Sequence, residues 1–156
     1  MDIRQFRDYI VVPALNHINL YSLKAEQIVM ATAMAESNLF FVQQVGRGPA
    51  RSFFQMEPAT HDDIWKNYLS RRPQLLNDLK GLTMRDMDLH EQLHGNLFYG
   101  AAMCRIFYLR FKKPLPEEND WRGMAEYWKK YYNTHLGAGT VDGFLKKARP
   151  VMDLYA

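Results

Sequence analysis

The stretch Leu89-His-Glu-Gln-Leu-His-Gly-Asn-Leu-Phe-Tyr-Gly-Ala-Ala-Met-Cys-Arg-Ile-Phe-Tyr-Leu-Arg-Phe111 decides the fold class of this chain. Its apolar residues fall on most sides of a helical wheel, which is typical of a helix surrounded by other helices. Pro114 and Pro116 follow soon after, and proline interrupts a helix because it has no N–H to donate. The pattern predicts one long central helix over about 89–111.

Helical patterns also occupy most of the chain on either side of this stretch. Apolar spacing predicts helices over about 3–18 and 22–36, whereas glycines and a proline interrupt residues 38–56 and predict a tight loop or short strands. Capping residues and one proline predict where helices start: Ser22, Thr60, Pro73, Thr83, Asp120 and Thr140. The sequence therefore predicts a mainly α chain, a helical bundle around a central helix with at most a small β element.

The composition is that of an ordinary globular domain. The 156 residues suit a single domain, residues 1–156, with a hydrophobic core of its own. The formal net charge of +3 is too small to predict a nucleic-acid partner. No apolar run approaches the roughly 18 residues that a membrane span needs. Cys104 is the single cysteine, which excludes an intrachain disulfide.

Glu36 stands out among the carboxylates because it ends the predicted helix 22–36. The apolar positions Ile28, Val29 and Ala33 lead up to it on one helical face. A carboxyl group held among hydrocarbon has a raised pKa. Cleavage of a glycosidic bond needs such a proton donor, because the sugar oxygen is a poor leaving group. The alternative interpretation of Glu36 is a helix-end carboxylate that faces water.

Four short motifs follow one another between Glu36 and Gly139. They are Glu36-Ser37, then Ser52-Phe-Phe-Gln-Met-Glu-Pro-Ala-Thr60, then Asn96-Leu-Phe-Tyr-Gly100, and last Tyr132-Asn133 followed by Gly137 and Gly139. In this order they resemble the motifs of the soluble lytic transglycosylase catalytic domain, a branch of the lysozyme superfamily. Ser52 departs from the family's glycine, and Phe53-Phe54 replace its leucine and methionine. The resemblance implies an α+β lysozyme-like fold with a substrate groove.

The resemblance also implies a reaction on peptidoglycan. Glu36 would protonate the β-1,4 oxygen between N-acetylmuramic acid and N-acetylglucosamine. It would then act as base on the C6 hydroxyl, which attacks C1 to give a 1,6-anhydro sugar. Because substrate groups assist, no second carboxylate is required, and we expect no metal or other cofactor. The residues expected to bind substrate are Ser37, Phe54, Gln55, Glu57, Tyr132 and Asn133.

These residues also have purely structural interpretations. Phe54 and Gln55 can belong to a half-buried strand, with one of the two rings of Phe53-Phe54 packed inward, and Glu57 can be a rim or capping residue. Ser37 can be a hydroxyl that ends its helix, and Tyr132 can belong to the core. Asn133 can be a helix C-cap, a position at which asparagine is common. The sequence leaves these alternatives open.

Other functions are compatible with the same sequence. If Glu57 holds a water opposite Glu36, the enzyme is an inverting, hydrolytic muramidase with its carboxyls about 6.5 to 9.5 Å apart. His90-Glu91-Gln92-Leu93-His94 matches the His-Glu-x-x-His pattern of zinc metallopeptidases, whose histidines share a helix face. A third interpretation is a non-catalytic virion structural protein or cell-wall-binding protein.

The expected partners are the glycan strands of peptidoglycan. The N-terminus, Met1-Asp-Ile-Arg-Gln-Phe-Arg-Asp8, carries charges where a signal peptide would be apolar. We therefore expect synthesis in a host cytoplasm without a signal peptide, as for a bacteriophage product. Such an endolysin would reach the cell wall or periplasm after release by a holin, or as a virion component among other phage virion proteins.

Overall fold

The computed structural model describes residues 1–156, and the predicted mainly α class is confirmed. The α-helices, in chain order, are α1 Ile3–Phe6, α2 Val12–His17, α3 Leu23–Ser37, α4 Pro58–Asp63, α5 Pro73–Lys80, α6 Leu89–Gly95, α7 Leu97–Leu109, α8 Trp121–Trp128 and α9 Val141–Leu154. Turns of π-helix continue α1, α4 and α8 over Arg7–Val11, Ile64–Tyr68 and Lys129–Asn133, and Leu69–Arg71 forms a 3-10 turn.

Two helices, α3 and α7, are buried on most sides and form the centre of the molecule. Thr32 of α3 donates its hydroxyl to the Ile28 carbonyl over 2.7 Å, so Tyr108 of α7 must donate in the 2.8 Å bond between the two hydroxyls. This bond joins the two helices inside the core. The prediction named only the later helix as central, and α3 shares that position.

The predicted single helix over 89–111 is wrong, because the chain breaks at Asn96. The backbone of Asn96 is extended, with φ −130° and ψ 100°, between α6 and α7. Its side-chain oxygen accepts the N–H of Tyr99 over 3.2 Å, which is how an N-cap starts a new helix. Its amide nitrogen donates to the carbonyl of Leu82 over 2.8 Å. These bonds make the break more favourable than a continuous helix.

Most predicted helix starts agree with the structure. Three predicted N-caps are confirmed, each accepting a backbone N–H of the first turn: Ser22, Asp120 and Thr140. Thr60 does not cap α4, which begins at Pro58, whose fixed φ suits a first helical position. Thr83 does not cap α6 either, since its hydroxyl donates to the carbonyl of Lys80 and Asp88 provides the cap.

The segment between α3 and α4 is a tight loop without strands. Its β structure consists of two isolated bridges, which pair Arg51 with Gln43 and with Met56. Ser52 has φ 70°, in the left-handed region that glycine adopts most easily. Gly100 of α7 lies against this turn: a methyl group at Gly100 would be 3.3 Å from Cβ of Ser52. The turn and α7 therefore pack closely at this point.

Helices α8 and α9 cover the C-terminal half of α3. A small apolar cluster joins the three helices, with residues Ala31, Ala35, Ala125, Trp128, Phe144 and Ala148. The ring centroids of Trp128 and Phe144 are 5.1 Å apart. This packing brings the end of α8 next to the end of α3.

None of the helices has the length and apolar character needed to cross a bilayer.

Candidate functional site

Glu36 is the penultimate residue of α3, and its side chain is half-buried. Trp128, the last residue of α8, donates its indole N–H to Oε1 of Glu36 over 2.8 Å. The Trp128 side chain belongs to the buried apolar cluster, so its indole has a fixed position. Glu36 therefore lies at the edge of the core, held by a donor that is itself buried.

Burial raises the pKa of Glu36 from its usual 4.5 to about 7, because hydrocarbon solvates a carboxylate poorly. The hydrogen bond from Trp128 and the positive charge of Lys147 both lower this pKa, but the effect of burial is larger. A carboxyl with a pKa near 7 is present in both protonation states at neutral pH. It can therefore donate a proton in one step and accept one in the next.

A cleft of about 270 Å³ opens beside Glu36, and we call it the Glu36 cleft. Its walls come from the ends of α3 and α8, the following segment and the first turns of α9: Ala35, Glu36, Trp128, Asn133, Ala138, Gly139, Thr140, Gly143, Phe144 and Lys147. Glu36 is the single carboxylate among them, and Lys147 is the single cation. The cleft thus offers one carboxyl group and no second acidic partner.

A second cleft, of about 500 Å³, lies next to the first, and we call it the Gln55 cleft. Its walls come from the residues before and in α4, from α7 and from the segment after α8: Gln55, Met56, Glu57, Thr60, Phe107, Tyr132, Asn133, Thr134, Leu136 and Gly137. Asn133 lines both clefts. Four predicted site residues therefore share one cleft, and one of them also reaches the cleft of Glu36.

Tyr132 links the end of α8 to the turn before α4. Its hydroxyl donates to the backbone carbonyl of Phe54 over 2.6 Å. Burial, followed by the neighbouring Cys104 and Glu36, raises the pKa of Tyr132 well above its usual value. The phenol therefore stays protonated at neutral pH and keeps this bond. Tyr132 is both a wall of the Gln55 cleft and part of its framework.

Asn133 is the last residue of the π-helical turn Lys129–Asn133. It therefore lies at the end of a helix, close to the position that its interpretation as a helix C-cap requires. The ammonium group of Lys129 donates to Oδ1 of Asn133 over 2.7 Å and to the carbonyl of Gly137 over 3.0 Å. Lys129 thereby connects the π-helical turn to the segment that follows it. The side chain of Asn133 is fixed between the two clefts by this bond.

Two predicted substrate-binding residues, Ser37 and Phe54, lie inside the protein. Ser37 is 1% exposed, and its hydroxyl donates to the carbonyl of Ala33 over 3.0 Å and accepts the N–H of Leu39 over 3.2 Å. The structure therefore gives Ser37 the alternative role of a hydroxyl that ends its helix. The ring of Phe54 is 2% exposed and lies 6.2 Å from the ring of Phe6, so it packs in the core and offers no surface to a ligand.

Gln55 and Glu57 both reach the surface, in different ways. Gln55 is half-buried in a left-handed backbone conformation, φ 51°, and its amide nitrogen donates to the carbonyl of Ser52 over 2.8 Å. Glu57 is exposed and precedes α4 without a side-chain capping bond. Glu57 lines the Gln55 cleft but not the Glu36 cleft. It is therefore a rim residue of the larger cleft.

The pair His90 and His94 does not form the metal-ligand arrangement of a zinc peptidase. His90 turns its Nε2 towards Oδ1 of Asp62, at 2.7 Å. Nδ1 of His94 is buried without a hydrogen-bond partner, and His94 is outside the group of ligand atoms that comes together around His90. Glu91 is exposed. The sequence pattern is present, but its three side chains do not meet at one point.

The most important residues that the sequence analysis missed are Trp128 and Lys147. Both act on Glu36 from elements more than 90 residues away in the chain. The one available signal was the spacing Trp128-x-x-x-Tyr132, which places the two rings on the same side of a helix. Nothing in the sequence marks Lys147 apart from its neighbour Lys146.

A concavity larger than either of these clefts lies elsewhere. It measures about 560 Å³ and is lined by residues between Lys113 and Tyr131. Its carboxylates, Glu117, Asp120 and Glu126, are all exposed to solvent. It shares no residue with the Glu36 cleft. We therefore take the half-buried carboxyl group of Glu36, and not the size of a cleft, as the mark of the candidate site.

Comparison of the chain with protein-family models, with curated proteins and with solved structures finds no match.

Proposed function

We propose that this protein is a peptidoglycan lytic transglycosylase that uses Glu36 as its single general acid and base. The observation that carries the proposal is the state of the Glu36 carboxyl. It is half-buried at the end of α3, its pKa is raised to about 7, and it opens onto a cleft. These are the properties that a proton donor to a glycosidic oxygen needs at neutral pH.

The first step is cleavage of the β-1,4 bond between N-acetylmuramic acid and N-acetylglucosamine. Protonated Glu36 transfers its proton to the bridging oxygen, and the bond from that oxygen to C1 breaks. The indole N–H of Trp128 remains bonded to the carboxylate that forms, and the Lys147 charge stabilises it. The substrate's own acetamide stabilises the positive charge that develops at C1.

The second step uses the same carboxylate as a base. Glu36 accepts the proton of the C6 hydroxyl, and that oxygen forms a bond to C1, which gives a 1,6-anhydro ring. The proton count is restored, so Glu36 is ready for another cycle. The lack of a second carboxylate in the Glu36 cleft supports this sequence, because an inverting hydrolase needs one across the sugar.

The two clefts that share Asn133 support a binding groove for a glycan strand on a lysozyme-like fold. In this proposal the Gln55 cleft holds sugars on one side of the cleaved bond. Amide groups of Gln55 and Asn133 suit the acetamide groups of these sugars, since each offers a donor and an acceptor. Ser37 and Phe54 take no part, because both are buried.

The proposal extends to delivery. A phage product would reach the wall after holin release or as part of a virion. A fusion of the chain to a secretion signal would test the location of action, because lysis of the producing cells should then no longer require a holin.

The activity is tested by clearing of purified Gram-negative peptidoglycan. We expect the wild-type chain to clear it and Glu36→Gln to lose at least about 100-fold of the rate, because the amide has no proton to transfer. The matched control is Glu57→Gln, which removes a carboxylate from the neighbouring cleft and should retain most of the activity. A folded Glu36→Gln variant with the wild-type rate would refute the assignment.

A further inference from the structure

A cluster of three ligand-type side chains lies between α4 and α6, outside both clefts. It consists of His61 and Asp62 of α4 and His90 of α6. Oδ1 of Asp62 is 3.0 Å from Nδ1 of His61 and 2.7 Å from Nε2 of His90. The three ligand atoms lie within 4.8 Å of one another. Two imidazole nitrogens and a carboxylate oxygen therefore converge on one point.

The most buried histidine of this cluster, His61, is held by a hydrogen bond on the side of its ring that faces away from Asp62. His61 is 1% exposed, and its Nε2 lies 2.6 Å from the hydroxyl oxygen of the buried Tyr99. The same oxygen accepts the indole N–H of Trp65 over 2.9 Å. A metal-binding histidine commonly has its second ring nitrogen fixed in this way, because the outer bond sets the orientation of the ring. Tyr99 and Trp65 thus provide the outer support that such a site needs.

The outer face of the cluster is open to solvent. The side chain of Asp62 is 60% exposed and that of His90 is 35% exposed. The imidazole rings of His61 and His90 meet edge to face, with an interplanar angle of 83° and centroids 5.4 Å apart. The exposure of Asp62 and His90 lets a water molecule reach the cluster as a further ligand.

We propose that His61, Asp62 and His90 form a binding site for a divalent transition-metal ion, with Zn²⁺ as the best match. Two histidines and one carboxylate, with an open fourth position, are a donor set that Zn²⁺ accepts readily. The site differs from the His90-Glu91-x-x-His94 pattern, because it takes one histidine from that pattern and its other two ligands from α4. It does not depend on the proposed activity of Glu36.

Metal binding requires only small changes in the cluster. Tetrahedral Zn²⁺ with bonds of about 2.0 to 2.2 Å needs its ligand atoms slightly more than about 3 Å apart. The exposed Asp62 can move outward to open its 2.7 and 3.0 Å contacts with the histidines. Coordination through Nδ1 of His61 places the ring proton on Nε2, where the Tyr99 oxygen can accept it. Each neutral histidine carries one ring proton, so the proton that now points at Asp62 moves to the other ring nitrogen before the facing nitrogen binds the metal.

The consequence of binding is a cross-link between α4 and α6. These helices are about 30 residues apart in the chain, and the ligands at positions 61, 62 and 90 would hold them together. An ion that binds the folded chain more tightly than the unfolded chain stabilises the fold by mass action. The structure therefore assigns to this cluster a stabilising role that responds to metal supply.

Isothermal titration of the chelator-treated full chain with Zn²⁺ tests the proposal. We expect one Zn²⁺ per chain and a higher melting temperature when Zn²⁺ is present. Asp62→Asn and His90→Gln should each weaken the affinity by at least about tenfold, because each removes a ligand. Both positions are partly exposed, so these variants should fold, which circular dichroism checks.

The matched control is His94→Gln, which removes the other histidine of the sequence pattern and should leave the affinity unchanged. Absence of Zn²⁺ binding by the folded wild-type chain would overturn the proposal. So would loss of binding in His94→Gln together with its retention in Asp62→Asn. Peptidoglycan clearing by the chelator-treated chain should persist, which separates this site from the activity of Glu36.

Discussion

At the scale of single residues, the burial that raises the pKa of Glu36 also lowers the stability of the fold at alkaline pH. The folded chain binds the Glu36 proton more tightly than the unfolded chain, since burial raises the pKa from 4.5 to about 7. The stability that this side chain contributes is therefore complete below about pH 4.5 and is lost as the pH rises through about 7. The shift corresponds to about 3 kcal/mol.

The first prediction concerns the stability of Glu36→Gln. The amide keeps an oxygen for the Trp128 N–H but carries no charge at any pH. We expect the variant to be more stable than the wild type by up to about 3 kcal/mol at about pH 9, and by little at about pH 4. Urea denaturation at both pH values measures the difference. An equal difference at both pH values would mean that the carboxyl is not desolvated.

The second prediction concerns Lys147, whose charge lowers the pKa of Glu36. A general acid must be protonated, so activity should fall as the pH rises through about 7. In Lys147→Met the pKa of Glu36 should rise, and the alkaline limb of the pH–rate profile should move to higher pH. The exposed neighbour provides the control, Lys146→Met, whose profile should match that of the wild type. An unmoved limb in Lys147→Met would show that this charge does not reach the carboxyl.

At this scale the sequence singled out Glu36 but not the residues that surround it. The apolar face before Glu36 predicted a desolvated carboxyl at the end of a helix, which is how the structure places it. Trp128 and Lys147 could not be found in this way, because their contact with Glu36 depends on how α8 and α9 pack. Ser37 and Phe54 were assigned to substrate by resemblance, and only three-dimensional packing reveals that both are buried.

At the scale of elements, the caps decide where helices begin. Asn96 is 2% exposed, caps α7 and donates to the carbonyl of Leu82 and to Oε1 of Gln92. Apolar periodicity predicted one continuous helix here, because periodicity alone carries no information on a change in helix direction. The signal was present as asparagine directly after Gly95, a pair that is typical of a helix boundary.

The third prediction follows from this cap. In Asn96→Ala the buried partners of the amide lose their bonds, so we expect a loss of about 3 kcal/mol of unfolding free energy. Asp88→Ala removes the exposed cap of α6 and should cost only about 1 kcal/mol. Urea denaturation of both variants gives the comparison. Equal losses would contradict the view that Asn96 separates α6 from α7 through buried bonds.

The fourth prediction concerns the segment between α8 and α9. A methyl group on Gly139 would lie 2.5 Å from Cη2 of Trp128, so the indole would have to move. We expect Gly139→Ala to lower the clearing rate by about 10- to 100-fold, because the Trp128 donor would no longer hold Glu36 in place. The exposed residue His135, which lines neither cleft, provides the control, and His135→Ala should keep the wild-type rate. Full activity in Gly139→Ala would show that the Trp128 position is not required.

At the scale of the whole molecule, the two clefts form where the ends of α3 and α8 meet the first turns of α9 and the turn before α4. Helix α3 supplies Glu36, α8 supplies Trp128, and α9 supplies Lys147, while the turn before α4 supplies the Gln55 cleft. The mainly α class was predictable from periodicity, which each segment carries by itself. The path of each helix relative to the next was not, because it depends on close approaches such as that of Gly100 to the Ser52 turn.

In the proposed reaction, Glu36 cleaves glycan strands and the product carries an anhydro ring. Mass spectrometry of the soluble fragments released from purified peptidoglycan tests it most directly. We expect fragments with 1,6-anhydro-N-acetylmuramic acid ends from the wild-type chain and none from Glu36→Gln. Reducing ends in their place would mean hydrolysis by a water molecule. No fragments from the folded wild-type chain, or the same fragments from Glu36→Gln, would contradict the account.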